Sequence, residues 1–193
     1  MPAERPALFL DRDGVINDDC GYVYRIDDFR FLPGVLEGCR KFHEAGYVIV
    51  VVTNQAGIAR GYYTENDFTV LTRWMCKQFE GFGSPISAVY HCPHHPDGIV
   101  QTYSVICECR KPAPGLLFRA KAELSIDMPR SILVGDNVSD VLAAQAAGVG
   151  RSYLLSDNAH IGASLPHDAT CHSAASRFST LAMIADFLLP SAH

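Results

Sequence analysis

Three short apolar runs in this chain stop abruptly at clusters of polar residues. ALFL (Ala7–Leu10) runs into Asp11-Arg12-Asp13, YVIVVV (Tyr47–Val52) into Thr53-Asn54-Gln55, and Ser131–Val134 into Gly135-Asp136-Asn137 and on to Asp140. Runs of four to six apolar residues without alternation read as strands buried on both faces, the habit of a parallel sheet. Helical patterns separate them. Val35, Leu36, Cys39, Phe42 and His43 recur at helix spacing after Pro33-Gly34, and Gly46 stops the pattern. Thr64 with Asp67 forms an N-cap box for a helix expected from Glu65 to Phe79, with Asp in place of the usual Glu.

Further along, Ile86–His91 reads as a third strand, and Cys92–Pro112 as irregular. Pro114–Leu124 and Ser139–Ala147 read as helices, the second closed by Gly148. Arg151–Leu155 is a strand and Phe178–Leu189 a terminal amphipathic helix. Residues from Ser156 to about Ser176 read as surface loop with an edge strand. Alternating strands and helices predict an α/β fold: a three-layer, Rossmann-like, doubly wound and mostly parallel sheet. At 193 residues the chain suits one domain, residues 1–193, with a core that needs no disulfide staples.

Charge and composition exclude several classes. Sixteen basic against twenty-one acidic residues give a net charge of −5, with no basic tract, so neither nucleic acid nor an anionic membrane surface is expected as a partner. No apolar run approaches the roughly 20 residues that span a bilayer. The leading ALFL is cut off by Asp11-Arg12-Asp13 and makes no signal-peptide core. A cytoplasmic protein is expected, and a monomer. The odd number of cysteines, seven, argues against a disulfide framework.

In open α/β sheets ligands sit beyond the C-terminal strand ends, so polar clusters far apart in sequence can share one site. One such cluster reads as ordinary capping of a βα loop. Three clusters plus Lys111 make that reading poor. Asp11 and Asp13, two residues apart just past a strand, can reach one centre. One carboxylate can attack phosphorus, and the other can move a proton to the leaving oxygen and from water. Carboxylates pressed together need a cation, and Mg²⁺ suits carboxylates that share a site with a phosphate. Asp136 completes the acidic set. Lys111, the Thr53 hydroxyl and the amides of the loop that follows it can stabilise a transferring phosphoryl group.

A second constellation is Cys92-Pro93-His94-His95 with Cys107-Glu108-Cys109. Cys92, His94, Cys107 and Cys109 give a Cys₃His set suited to zinc, with His91 and His95 as competing ligands. Four protein ligands leave no open position, so a structural zinc is expected, holding loop 92–109 and presenting Arg110 and Lys111. A chance cluster of reduced thiols is the plainer alternative. Cys20, Cys39, Cys76 and Cys171 are scattered, and Cys39 reads as core packing. His91, His160, His167 and His172 carry no assigned role.

The set DRDGVIN (Asp11–Asn17), VVVTNQ (Val50–Gln55), CRKP (Cys109–Pro112) and VGDNVSD (Val134–Asp140) resembles the haloacid dehalogenase-like phosphatase superfamily across about Ala7 to Leu155. The resemblance implies Asp11 as nucleophile and Asp13 as general acid/base. It implies Thr53 and Lys111 as holders of the phosphoryl oxygens, and Mg²⁺ held by Asp11, the Asp13 backbone carbonyl and Asp136. Val15 stands where many members carry Thr. With CPHHP…CECRKP, GYV and IARG, the chain resembles the zinc-loop branch that holds the heptose bisphosphate and histidinol phosphate phosphatases, more fully the former.

That resemblance implies a small sugar bisphosphate as substrate, a 7-phosphate as the group removed, and a place in nucleotide-activated heptose biosynthesis. It implies substrate contacts from Asp19, Cys20, Gly21, Tyr22, Thr53, Asn54, Gln55, Ala56, Arg110, Lys111 and Asn137, the last where some members have Lys. Segments 17–31 and 92–110 are too short for a large cap domain, so an open site is expected. Arg110 is a candidate for a second, non-reacting phosphate, since a guanidinium binds phosphate through paired N–H groups. Alternatives are a surface ion pair with Glu108 for Arg110 and packing under the loop for Tyr22. For the whole protein, the alternatives are a histidinol phosphate phosphatase and a zinc-loop interaction protein on an inactive phosphatase fold.

Overall fold

A computed structural model of the chain describes residues 4–155 and 177–189. Six strands form one sheet: β1 (Ala7–Leu10), β2 (Val48–Asn54), β3 (Ile86–Cys92), β4 (Ile132–Gly135), β5 (Arg151–Leu155) and β6 (Arg177–Phe178). Their order is β3-β2-β1-β4-β5-β6, and every pairing is parallel. The helices are α1 (Val35–Glu44), α2 (Ala56–Ala59), α3 (Glu65–Gly81), α4 (Gly115–Leu124), α5 (Val138–Ala147) and α6 (Leu181–Leu188).

The sheet is covered on both faces, and the two-residue period of β1 shows how. Leu8 and Leu10 pack with α1, α3 and α6 through Cys39, Phe42, Leu71, Met75 and Ile184. Ala7 and Phe9 face the other way, onto Leu116, Leu117 and Ala120 of α4 and Ala143, Ala144 and Ala147 of α5. All four β1 residues are fully buried, as the unbroken apolar run requires of a central strand.

From β1 the chain winds outward through β2 and β3, then crosses to β4 and winds the other way. The order therefore reverses at β1 and β4, and a crevice opens beyond their C-terminal ends. Asp11 and Asp136 follow those two strands directly, and the Asp11 N–H donates to the Val134 carbonyl at 3.0 Å.

Sequence expectation and structure agree on the long elements to within a residue or two, except at the C-terminal helix, which begins at Leu181 and not at Phe178: Phe178 belongs to β6, where it pairs with Leu155, and the Thr180 side chain starts the helix by accepting from the Met183 N–H. β2 runs past Val52 to Asn54, because pairing with β3 continues through Thr53–His91 and Asn54–Cys92. The Thr64–Asp67 capping box is present. The short helix α2 was not foreseen. It has four residues, too few for a periodicity to register. Among the described residues neither the 11–34 excursion nor the 93–114 excursion holds a folded cap. The loop expected over 156–176, with Cys171, His160, His167 and His172, lies outside the described residues.

Candidate active site

A cleft of about 490 Å³ lies over the C-terminal ends of β1, β2 and β4, lined by acids, amides and two cations, Arg110 and Lys111. It brings together Asp11, Asp13, Asp19, Gly21, Tyr22, Asn54, Gln55, Ala56, Arg110, Lys111, Asp136 and Asn137. Thr53 lies beneath this lining, 1% exposed, with its hydroxyl accepting from Gln55 Nε2 at 2.9 Å. Cys20 lies outside it, exposed, its thiol 3.5 Å from Asp18 Oδ2.

Lys111 is the electrostatic centre. Its Nζ is 2.8 Å from Asp11 Oδ2, ion-paired to Asp140, and donates to the Val52 carbonyl at 2.9 Å. Burial alone would lower its pKa, but the Asp11 and Asp140 charges outweigh burial and raise it, so the ammonium stays charged. In the sequence Asp140 reads only as part of the VGDNVSD run. It is fully buried, and it also caps α5 by accepting from the Asn137 N–H at 3.1 Å. Burial pushes its pKa up, against the pull of Lys111.

Asp11, Asp136 and Asp140 offer carboxylate oxygens within 4.8 Å of one another. One ammonium cannot neutralise three such groups. Partial burial, then the Asp11 and Asp140 charges, push the Asp136 pKa up to about 7. A hard divalent cation relieves this excess of negative charge, and the all-oxygen donor set fits Mg²⁺. Gly14 makes room for the Asp136 carboxylate: with φ +75, a Cβ there would stand 2.2 Å from Asp136 Oδ2.

Asp13 is held differently. Arg12 Nη2 donates to its Oδ1 at 2.9 Å, Asn17 Nδ2 donates to Oδ1 at 3.0 Å, and Gln55 Nε2 donates to Oδ2 at 3.0 Å. Arg12 is 1% exposed; its Nη2 also donates to the Val23 carbonyl at 2.6 Å, and its guanidinium lies 5.7 Å from the centre of the Phe68 ring. Nothing in the sequence singled out Arg12 or Asn17, since an arginine after a strand reads as surface.

At the rim, Tyr22 sits in the left-handed region at φ 54, its ring 4.6 Å from that of Tyr62. The Asn137 side chain accepts from the Ser139 N–H at 3.0 Å and so caps α5. Arg110 faces the cleft with Nη1 donating to the His94 carbonyl at 3.3 Å.

The Cys/His set closes on one point. Cys92, Cys107 and Cys109 place their sulfurs 3.2–3.5 Å apart, and His94 Nδ1 lies 3.3 Å from Cys109 and 3.7 Å from Cys92. Two thiolates at about 2.3 Å from a tetrahedral zinc stand roughly 3.8 Å apart, and a thiolate and an imidazole nitrogen about 3.5 Å, so the four converge on one point and would need the sulfurs to spread by a few tenths of an ångström to hold zinc. The competing ligands are engaged elsewhere. His91 lies 3.5 Å from Glu65 and against the Phe68 ring, and His95 lies 3.3 Å from Arg60.

Sheet order, strand-end acids and buried lysine define a phosphatase of the haloacid dehalogenase-like class. The model of the Polynucleotide kinase 3 phosphatase family matches residues 10–173. The chain is 51% identical over 155 residues to the D-glycero-beta-D-manno-heptose-1,7-bisphosphate 7-phosphatase of Yersinia pestis, covering 80% of this chain and 82% of that protein. It therefore belongs to the heptose bisphosphate phosphatase family and is a phosphoric monoester hydrolase.

The Escherichia coli K12 protein of the same name is 49% identical, covering 80% of this chain and 81% of that one. Among solved structures, D,D-heptose 1,7-bisphosphate phosphatase from B. bronchiseptica, complexed with magnesium and phosphate, has a TM-score of 0.77 at 28% identity, covering 95% of this chain and 98% of that one. A haloacid dehalogenase-like phosphatase from Mesorhizobium loti has a TM-score of 0.77 at 34% identity, covering 84% and 78%. No helix among the described residues is long and apolar enough to cross a membrane.

Proposed function

We propose that the protein hydrolyses the 7-phosphate of D-glycero-D-manno-heptose 1,7-bisphosphate, in a Mg²⁺-dependent reaction through an aspartyl phosphate, within nucleotide-activated heptose biosynthesis. The observation that carries this reading is the meeting of Asp11, Asp13, Lys111 and Asp136 in one cleft that Arg110 also enters. The names of the relatives support the substrate.

Asp11 attacks phosphorus, forming a P–O bond to its carboxylate as the bond from phosphorus to the C7 oxygen breaks. Asp13 gives a proton to that oxygen and then takes one from the water that hydrolyses the aspartyl phosphate. All the neighbours that hold Asp13 in place are donors, an arrangement that matches the carboxylate needed for the second step. Lys111 fixes Asp11 and, with Thr53, faces the phosphoryl oxygens. Mg²⁺, held by Asp11, the Asp13 carbonyl and Asp136, supplies charge neutralisation between the carboxylates and the incoming phosphate. A structural zinc on Cys92, His94, Cys107 and Cys109 anchors the loop that delivers Arg110 and Lys111. Asp19, Gly21, Tyr22, Asn54, Ala56 and Asn137 line the remainder of the substrate site.

Phosphate release from the α and β bisphosphate anomers, with ³¹P NMR to identify the phosphate lost, tests this. Loss of the 7-phosphate is expected, well ahead of turnover of histidinol phosphate. Preferential turnover of histidinol phosphate, or loss of the 1-phosphate, overturns it.

A further inference from the structure

The Gln55 side chain has no hydrogen left for a substrate. It is 1% exposed, and its Nε2 donates to Asp13 Oδ2 at 3.0 Å and to Thr53 Oγ1 at 2.9 Å. Its Oε1 accepts from the Tyr63 hydroxyl at 2.5 Å. With Asp13 as the carboxylate, the form its donor neighbours hold, the amide nitrogen faces Asp13, Oε1 faces Tyr63, and Tyr63 is the donor. A rotated amide would press Oε1 against the Asp13 carboxylate.

Tyr63 is itself fixed from three sides. Its ring stacks on Tyr24 with centroids 5.3 Å apart and planes 12° from parallel. It packs on Gly57, where a Cβ would stand 2.1 Å from ring Cε1. The residue after it, Thr64, begins the capping box of α3. Burial pushes the phenol pKa far above its usual value, so the hydroxyl keeps its proton.

We infer that Tyr63 is a positioning residue that acts through the Gln55 amide to hold the Asp13 carboxyl in line for proton transfer. The inference rests on the reading of Asp13 as the acid/base group. Tyr63 itself transfers no proton; it also lines the cleft, and the KM readout below separates that position from its role through Gln55. An untethered amide lets the Asp13 carboxyl wander, and proton transfer is sensitive to such displacement.

The test is a double-mutant cycle of Tyr63→Phe and Gln55→Met, assayed by rapid-quench phosphoenzyme formation, the step before the shared hydrolysis of the aspartyl phosphate, with heptose bisphosphate and with 4-nitrophenyl phosphate, whose leaving oxygen needs no proton. Tyr63→Phe is expected to lower the maximal rate of that step on the bisphosphate about three- to tenfold, the worth of one hydrogen bond, with its KM little changed. The loss on 4-nitrophenyl phosphate should be smaller. In the Gln55→Met background, Tyr63→Phe should cost nothing more, because the path through the amide is already cut.

A loss expressed in KM would make Tyr63 a substrate contact. Equal losses on both substrates would place the effect on Thr53 and the phosphoryl oxygens. Additive losses would mean Tyr63 does not act through Gln55. Each overturns the inference. Asp13→Asn separates the two layers. If it slows phosphoenzyme formation no more on the bisphosphate than on the aryl phosphate, the acid/base reading fails and takes the inference with it. If it does cost more while Tyr63→Phe costs nothing, the inference alone fails. Should Gln55→Met not fold by thermal unfolding, the substrate and KM comparisons on Tyr63→Phe still decide.

Discussion

The side-chain amide of Asn54 clasps the backbone of Lys111: Oδ1 accepts from the Lys111 N–H at 3.0 Å, and Nδ2 donates to the Lys111 carbonyl at 3.1 Å. These are the two bonds a neighbouring strand would make. They splice the end of β2 to a loop 57 residues away, so that the Lys111 side chain enters the cleft beside Asp11. Asn54 reads from sequence as a substrate contact, and the structure gives its amide a second task. Asn54→Ala should lower unfolding free energy by about 1–3 kcal/mol, the worth of two partly buried hydrogen bonds. It should also lower kcat by displacing Lys111. Urea unfolding beside steady-state kinetics checks this, and unchanged kcat would detach the clasp from catalysis.

Removing Asp136 strips the acidic set of a member that belongs to the other half of the sheet. Asp136→Ala and thorough EDTA treatment should each abolish turnover, with Mg²⁺ restoring the chelated wild type and not the variant. Gly14→Ala should mimic the loss, since its Cβ would stand 2.2 Å from Asp136 Oδ2 at a backbone φ of +75. Full activity in EDTA-treated enzyme counts against the metal.

Elemental analysis of protein prepared without chelators should find one zinc per chain. Cys107→Ser removes one thiolate, and the remaining three ligands should hold zinc more weakly. Hydrogen exchange across 92–111 should then accelerate and activity fall, although no ligand touches substrate. Metal-free protein with normal exchange would refute the clasp.

Arg110→Ala should cost more kcat/KM with the bisphosphate than with 4-nitrophenyl phosphate, because a second phosphate has a second charge to recognise. Equal losses would confine Arg110 to the loop or to the reacting phosphate. Its hydrogen bond to the His94 carbonyl already ties it to the loop of the Cys/His cluster.

Asp11→Asn should yield no phosphoenzyme. Asp13→Asn keeps the nucleophile and loses proton transfer, worth about 10²–10⁴-fold on a sugar phosphate. With 4-nitrophenyl phosphate it should be phosphorylated and then stall. Rapid quench and peptide mass analysis locate the label, and phosphate on any residue other than Asp11 overturns the mechanism.

Much of this was legible in the chain. The apolar runs at Ala7–Leu10 and Val48–Val52 are buried on both faces, and a period of one residue type has no other stable reading at that length. Asp11, Asp13, Lys111 and Asp136 stood out because each follows a strand or a cysteine cluster. Arg12 did not, because its burial depends on Val23 and Phe68 folding over it. Asp140 was hidden inside a helix cap, where an aspartate needs no other explanation.

The sequence by itself determined the layers, the strand ends where chemistry gathers, and the cysteine cluster with three histidines to choose from, since these follow from local periodicity and from spacing; the structure chose His94. Only the tertiary structure decided which polar groups are spoken for. Gln55 is spent on Asp13 across 42 positions, Asn54 on Lys111 across 57, and Asp140 shares the Lys111 charge with Asp11. The reason is physical. Periodicity reports which face of an element is buried, whereas hydrogen bonds and ion pairs depend on atoms a few ångströms apart that the sheet order alone brings together.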